Sequence, residues 1–138
     1  MPGVFVDTSA WYGLFDVADS FHREAVRCFQ RLEGDGRELV TSNHVVGESY
    51  TLLRARLGQA PAERFLRSSR DPASMTRIFV PEAWELAAEA ILIQYRDQGF
   101  SYVDAVSFAT MRQLGLQEAF TSDHHFLVAG FALVTASS

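Results

Sequence analysis

Four acidic residues that lie far apart in the sequence occupy positions where a charged side chain needs an explanation: Asp7, Glu48, Asp104 and Asp123. Carboxylates gathered in one cleft repel one another and raise one another's pKa, and a divalent cation removes this penalty. Oxygen ligands suit Mg²⁺ or Mn²⁺, whereas zinc sites usually draw on Cys and His at short spacings that are absent here. If the fold brings the four acids together, the chemistry they favour is metal-assisted phosphoryl transfer, with one ion or two.

The first acid follows a short apolar run at the start of the chain. Val4–Val6 is too short for a helix core and is rich in β-formers, so it is predicted to be a buried strand. Asp7 would then lie at the carboxyl end of that strand, where open α/β sheets bind ligands. The alternative for Asp7 is a helix N-cap, although Thr8 or Ser9 could also cap the helix that we expect from Ala10.

Asp123 has a similar setting near the other end of the chain. It follows a predicted strand, Ala119–Thr121, and precedes a predicted helical turn at His124–Val128. Its alternative role is again that of a cap for this turn. The neighbouring pair His124 and His125 lacks companions at zinc-finger spacing and is therefore not predicted to bind metal.

Glu48 falls within the apolar stripe of a predicted helix that Ser42 or Asn43 caps. At helical spacing, Val45, Ser49 and Leu52 share its face. Burying an acid there is unfavourable unless something pairs with it. A partner arginine, or a place at the polar margin of the stripe, would explain Glu48 without a metal.

Asp104 is the only charged residue between Tyr102 and Met111 in a helix that should be largely buried. It lies three residues after Ser101, which is the spacing of a capping box. A capping box and a metal site both place this carboxylate at the helix N-terminus, so the first does not exclude the second.

The composition is that of a folded soluble protein. With 138 residues, 48% hydrophobic and 21% charged, residues 1–138 are expected to form one domain with a substantial core. No apolar run approaches the ~18 residues of a membrane span. The absence of an export signal and the single cysteine, Cys28, favour a cytoplasmic protein.

The charge distribution offers a second feature. The net charge of −5 argues against purely electrostatic binding of nucleic acid. All twelve basic residues are nevertheless arginine, a side chain suited to forked contacts with phosphate. Codon bias and a solvated helix face would explain them equally well. Half of them fall in one region: Arg54, Arg56, Arg64, Arg67, Arg70 and Arg77.

Predicted strands and helices alternate along the chain, which implies a parallel sheet covered on both faces. The predicted strands are Val4–Val6, Glu38–Thr41, Thr76–Val80, Ala119–Thr121 and Phe131–Thr135. The predicted helices are Ala10–Asp16, a helix from an Asp19 or Ser20 cap to Leu32, a helix from a Ser42 or Asn43 cap to Leu57, a helix with Pro61 in its first turn that ends near Ser69, Pro81–Asp97, and Ser101–Leu114.

Motifs in this order and at this chain length resemble the PIN domain, and within it the VapC-type toxins of toxin–antitoxin pairs. The resemblance covers essentially the whole chain and rests on several spaced motifs together. These are Phe5–Ala10, Ser42–Glu48, Tyr102–Ala105, Phe120–Phe126 and Gly130–Phe131.

The resemblance implies a three-layer α/β/α sandwich with a five-stranded parallel sheet. It implies a Mg²⁺- or Mn²⁺-dependent endoribonuclease that leaves 3′-hydroxyl and 5′-phosphate ends, works as a homodimer and is neutralised by a cognate antitoxin. The matching metal-binding and catalytic residues are Asp7, Glu48, Asp104 and Asp123, supported by Thr121. Thr8 and Ser9 are further candidates to hold ligand carboxylates in place. RNA could then be bound by Arg54, Arg56, Arg64 and Arg67.

Several other folds fail on individual residues. A haloacid-dehalogenase-type phosphatase needs an acid at the position of Ser9, a receiver domain needs a lysine, and a dinucleotide-binding domain needs a Gly-rich turn after the first strand. Two alternatives within the PIN fold remain open: an RNA-processing nuclease without an antitoxin, and a non-catalytic scaffold.

Overall fold

The computed structural model describes residues 3–136, which contain five strands and seven helices. The strands are β1 (Val4–Val6), β2 (Leu39–Ser42), β3 (Thr76–Ile78), β4 (Glu118–Phe120) and β5 (Ala132–Leu133). The helices are α1 (Thr8–Phe15), α2 (His22–Gly34), α3 (Asn43–Leu57), α4 (Gln59–Ser69), α5 (Glu82–Gln94), α6 (Tyr102–Leu114) and α7 (His125–Val128). No helix in this part of the chain is both long and apolar enough to cross a membrane.

The strands form one parallel sheet in the order β3-β2-β1-β4-β5. The central strand, β1, is completely buried and pairs with β2 on one side and β4 on the other. Parallel strands need crossover connections, and these place helices on both faces of the sheet. The predicted α/β/α sandwich with a five-stranded parallel sheet is confirmed.

This strand order determines where a ligand can bind. The chain leaves β1 towards β2 and later returns to pair β4 with the opposite edge of β1, so the order reverses at β1. A crevice forms at the carboxyl end of the strands at such a reversal. Asp7 directly follows β1, and its backbone N–H donates to the carbonyl of Phe120 at 3.1 Å. The first acid is therefore tied to the end of β4, just ahead of Asp123.

Aromatic packing fixes α6 against the segments that flank this crevice. Phe108 is fully buried, and its ring meets Phe100 at 5.0 Å and Phe126 at 4.9 Å between centroids, both nearly edge to face. Such pairs stabilise beyond the area they bury. They hold the N-terminal end of α6 beside the turn that carries Asp123.

The start of α1 differs from the prediction. The helix begins at Thr8 rather than Ala10, and Asp7 takes the N-cap position without a side-chain capping hydrogen bond. The prediction that Thr8 or Ser9 caps this helix is therefore wrong. Their hydroxyls instead bind other side chains at the crevice, as described below.

Two other boundaries move for local reasons. The third strand stops at Ile78 rather than Val80, because the N–H of Val80 donates to the side chain of Asn43 at 3.0 Å instead of extending the sheet. Helix α5 ends at Gln94 rather than Asp97. The remaining elements agree with the prediction to within about two residues at each end, which is the usual uncertainty of such boundaries.

Candidate metal centre

All four predicted acids line one cleft at the carboxyl end of the sheet. The cleft has a volume of about 790 Å³, and its walls come from α1, α3, α6 and the turns before α2 and α7. The acids are Asp7, Glu48, Asp104 and Asp123. Asp7 and Asp104 are buried, Asp123 is partly buried and Glu48 is exposed. We call this space the acidic cleft.

Asp7 lies deepest in the acidic cleft, with only 5% of its surface exposed. The pKa of its carboxyl is raised from 3.8 to about 6, chiefly by burial and also by the negative charges of Asp104 and Glu48. Hydrogen bonds from the Thr121 hydroxyl and from the backbone N–H of Thr8 act in the opposite direction. The carboxylates are therefore close enough to repel one another, which is the condition that a bound cation would relieve.

A chain of hydroxyl groups holds Asp7 in position. Thr121 donates from Oγ1 to Asp7 Oδ2 at 2.9 Å, and the Ser9 hydroxyl lies 3.0 Å from the same Thr121 oxygen. The backbone N–H groups of Ser122 and Asp123 donate to Ser9 and Thr121, each at 2.9 Å. These bonds join the turn after β1 to the turn after β4, so the two acids that follow strands are fixed relative to each other.

Glu48 is held from α1 as well. The hydroxyl of Thr8 donates to Glu48 Oε1 at 2.6 Å. Of the possibilities that the sequence left open, a place at the margin of the apolar stripe is the one observed, because the Glu48 side chain is exposed on α3 and faces the acidic cleft. Because the Glu48 side chain is exposed, it needs no partner to offset burial. Its position in the acidic cleft is what suggests a function for the acid.

Asp104 is both a cap and a member of the cleft. Its backbone N–H donates to Ser101 Oγ, and its Oδ2 accepts from the backbone N–H of Ser101, both at 3.0 Å. The predicted capping box is therefore present. Every residue of α6 from 104 to 111 is buried, which explains why an acid at this position needs specific partners.

His125 also belongs to the acidic cleft, although the sequence did not predict it. Its Nδ1 lies 3.3 Å from Asp104 Oδ2 and 3.4 Å from Asp123 Oδ1, and its backbone N–H donates to the same Asp123 oxygen at 2.9 Å. The ligand atoms of Asp104, Asp123 and His125 all lie within 4.8 Å of one another. The sequence signal that could have indicated His125 is its position two residues after Asp123, at the start of a helical turn.

The predicted RNA-binding arginines do not form one surface with the acids. Only Arg56 lines the acidic cleft, where its guanidinium carbon lies 5.2 Å from the ring centroid of Tyr12. Arg54 donates to Gln59 at 2.8 Å and Arg67 pairs with Glu63 at 3.6 Å. Arg64 is exposed on α4. A helix turns its residues around its axis, so arginines that are close in sequence point in different directions.

Comparison with known proteins gives a consistent result. A family model described as the PIN domain matches residues 4–132. The 23S rRNA-specific endonuclease VapC20 of Mycobacterium tuberculosis is 37% identical over 135 residues, which is 95% of this chain and 97% of that protein. The VapC ribonuclease of Archaeoglobus fulgidus is 28% identical over 114 residues, which is 81% of this chain and 72% of that protein.

The three-dimensional comparison agrees. The crystal structure of M. tuberculosis VapC20, described as a sarcin–ricin loop cleaving toxin, matches with a TM-score of 0.87 and 35% identity and covers 96% of this chain and 99% of that one. Sequence and fold thus agree over nearly the whole length. The chain belongs to the PIN domain family, and its predicted resemblance to the VapC-type members of that family is confirmed.

Proposed function

We propose that the chain is a metal-dependent endoribonuclease whose acidic cleft binds Mg²⁺ or Mn²⁺ through Asp7, Glu48, Asp104 and Asp123. The observation that carries the proposal is the convergence of these four carboxylates, from distant parts of the sequence, on one cleft. Burial, together with the charges of Asp104 and Glu48, raises the pKa of Asp7, although an ionised carboxylate is what a metal needs. VapC20 and the A. fulgidus relative, which are named as an RNA endonuclease and a ribonuclease, support the same activity.

The residues present fit a hard divalent cation. The donors are mainly carboxylate oxygens, which Mg²⁺ and Mn²⁺ prefer. Hydroxyls engage Asp7 Oδ2 and Glu48 Oε1, so each carboxylate keeps one oxygen that these hydroxyls do not use. When bound, the cation would activate a water molecule and neutralise charge that develops on the phosphate.

The remaining groups of the cleft are suited to orienting the reactants. Thr121, Ser9 and Thr8 restrict the rotation of the acids that they bind, as partners of metal ligands commonly do. In the proposed reaction, water attacks phosphorus and the P–O3′ bond breaks. The products are a 5′-phosphate and a 3′-hydroxyl, which takes up a proton from solvent or from the cleft.

The direct test is cleavage of RNA by the purified chain. Because VapC20 is named for 23S rRNA, that RNA is the first substrate to try, beside total cellular RNA. We expect discrete new ends with Mn²⁺ or Mg²⁺, with 5′-phosphates on sequencing, and none after chelation with EDTA. Cleavage that persists in EDTA would contradict the proposal. Absence of both metal binding and cleavage in a correctly folded chain would favour a scaffold instead.

Arg56 is the best candidate for contact with the RNA backbone, because it is the arginine that reaches the acidic cleft. We expect Arg56→Ala to weaken RNA binding and to lower the slope of log affinity against log salt by about 1, as loss of one phosphate contact should. Binding would be measured in an Asp104→Asn background, so that the RNA stays intact. Arg64→Ala removes the same charge from an exposed site on α4 and should change the slope less. Equal effects would mean that general charge, not the cleft, determines binding.

We propose further that the chain is the toxin of a type II toxin–antitoxin pair, since the relatives described above include VapC proteins that match nearly its whole length. Its partner would be a cognate antitoxin. A small neighbouring reading frame whose product co-purifies with the chain and inhibits cleavage would support this. An enzyme that cleaves RNA and has no such neighbour would instead be an RNA-processing nuclease.

Exposed apolar side chains on α5 support the proposed homodimer. Leu86 is 58% exposed and Ile93 is 65% exposed, and seven residues separate them, so they share one face of the helix. Exposed large apolar side chains that share one helix face are candidates for an interface. We expect Leu86→Arg together with Ile93→Arg to convert a dimer to a monomer in sedimentation equilibrium. Val17→Arg, at a side chain that is 81% exposed in the turn after α1, should leave the dimer intact.

A further inference from the structure

We propose that His125 is a nitrogen ligand of the metal in the acidic cleft and makes this site prefer Mn²⁺ to Mg²⁺. The inference rests on the proposed function, because it takes the acidic cleft to be a metal site. It goes beyond the acid pattern, which contains oxygen donors only.

The position of Nδ1 favours its binding to the metal. It lies 3.3 Å from Asp104 Oδ2 and 3.4 Å from Asp123 Oδ1. Two ligands at adjacent vertices of an octahedral ion, each about 2.1 Å from the metal, are about 3.0 Å apart. Nδ1 therefore lies almost as far from each carboxylate oxygen as two ligands of one ion lie from each other, and all three donor atoms lie within 4.8 Å of one another.

The His125 ring is held in this orientation by contacts on several sides. Its backbone N–H is bound by Asp123 at 2.9 Å. The ring meets Phe100 nearly edge to face, with 5.2 Å between the ring centroids. A side chain fixed in this way loses little rotational freedom when it binds a metal, and this favours ligation.

The chemistry of an imidazole nitrogen donor favours Mn²⁺ over Mg²⁺. Imidazole nitrogen binds first-row transition metals well, whereas Mg²⁺ prefers oxygen ligands and keeps much of its hydration shell. A site of carboxylates alone would discriminate weakly between Mn²⁺ and Mg²⁺. Adding one nitrogen ligand should therefore raise the affinity for Mn²⁺ more than the affinity for Mg²⁺.

A competing role for His125 uses the same nitrogen differently. As a ligand, His125 offers the lone pair of Nδ1 to the metal. As a positioning residue, it donates Nδ1–H to Asp104 or Asp123 and does not contact the metal. His125→Asn separates the two roles, because the asparagine amide can still donate a hydrogen bond to the carboxylates but offers no nitrogen lone pair.

The test is electron spin-echo spectroscopy of Mn²⁺ bound to the full chain, together with Mn²⁺ and Mg²⁺ titrations. We expect a ¹⁴N coupling from a directly bound nitrogen in the wild type and in the neighbouring control His124→Asn, and its loss in His125→Asn. The Mn²⁺ affinity of His125→Asn should fall by about 10-fold or more, as loss of a metal-site contact typically causes. Its Mg²⁺ affinity should change much less.

The outcomes separate this inference from the proposed function. Bound Mn²⁺ without ¹⁴N coupling in the wild type would show that His125 is not a ligand, while the metal-dependent nuclease would stand. Equal losses of Mn²⁺ and Mg²⁺ affinity in His125→Asn would overturn the selectivity. A wild-type chain that binds no Mn²⁺ at all would overturn the metal site, and this inference with it.

Discussion

Asp104→Asn is expected to lower RNA cleavage by at least about 100-fold and to leave the fold intact. Groups that merely support a metal ligand are each worth about 10- to 100-fold in activity or affinity, so loss of a ligand charge should matter at least as much. The fold should survive because the asparagine carbonyl can still accept the N–H of Ser101, which keeps the capping box at the start of α6.

Two measurements on Asp104→Asn would establish this result. Cleavage rates would be compared under conditions in which the wild type is metal-saturated, and circular dichroism would verify the fold. Asp97→Asn makes the same chemical change at an exposed position outside the acidic cleft and should cleave at the wild-type rate. If Asp104→Asn retained the wild-type rate, the four-carboxylate mechanism would be wrong.

The second large effect is a gain in stability at the cost of activity. Asp7→Asn removes a buried charge whose pKa is raised from 3.8 to about 6, chiefly by burial and further by Asp104 and Glu48. In the metal-free protein at pH 7, this substitution should increase the free energy of unfolding by at most about 3 kcal/mol. Cleavage should be lost, because a neutral amide is a much poorer metal ligand than a carboxylate.

The gain in stability of Asp7→Asn should also depend on pH in a specific way. Because the pKa of Asp7 is higher in the folded state than in the unfolded state, the folded protein binds this proton more tightly. Its contribution to stability is therefore favourable at low pH and is lost as the pH rises from about 4 to about 6. The difference in unfolding free energy between Asp7→Asn and the wild type should grow over this interval and level off above it.

Urea unfolding in EDTA, at several pH values between 4 and 8, would measure this difference. Comparing the two proteins cancels the titration of the other carboxyl groups, which both proteins share. A constant difference across the range would mean that Asp7 is not destabilised by its surroundings. Added Mn²⁺ should stabilise the wild type and have little effect on the variant, because the variant lacks a ligand carboxylate and binds the cation more weakly.

The sequence predicted the position of three acids well, for simple physical reasons. Short apolar runs followed by Asp7 and Asp123 indicated parallel strands, and the carboxyl ends of such strands meet at one edge of the sheet. Asp104 was conspicuous because its helix carries no other charge from residue 102 to residue 111. In each case a local sequence pattern indicated where the acid lies in the folded chain.

Other features of the site depend on contacts that no local pattern encodes. The hydroxyls of Thr8 and Ser9 looked like helix caps, and only the pairing of β1 with β4 brings Thr121 within reach of Ser9 and Asp7. His125 was missed because its partner Asp104 is 21 residues away and is brought near by the packing of α6 against the turn before α7.

The arrangement of the clustered arginines also depends on the fold and is not given by their spacing in the sequence. Their clustering in the sequence indicated a common surface, but the turn at Gly58, whose φ of 104° favours glycine, separates those on α3 from those on α4. For Glu48, helical spacing indicated which residues share its face but not how far that face extends towards solvent, so burial and a place at the margin both stayed open. Sequence spacing gives the relative directions of side chains on one helix, but not the surface that each side chain joins.

The central claim is that the gathered carboxylates hold the cation that cleaves RNA, and anomalous diffraction from crystals soaked in Mn²⁺ tests it most directly. We predict a strong anomalous peak in the acidic cleft, bound by carboxylate oxygens of Asp7, Asp104 and Asp123, with no such peak in crystals of Asp104→Asn. A cleft without a peak, at a Mn²⁺ concentration that supports cleavage by the same preparation, would contradict the claim and place the catalytic metal elsewhere.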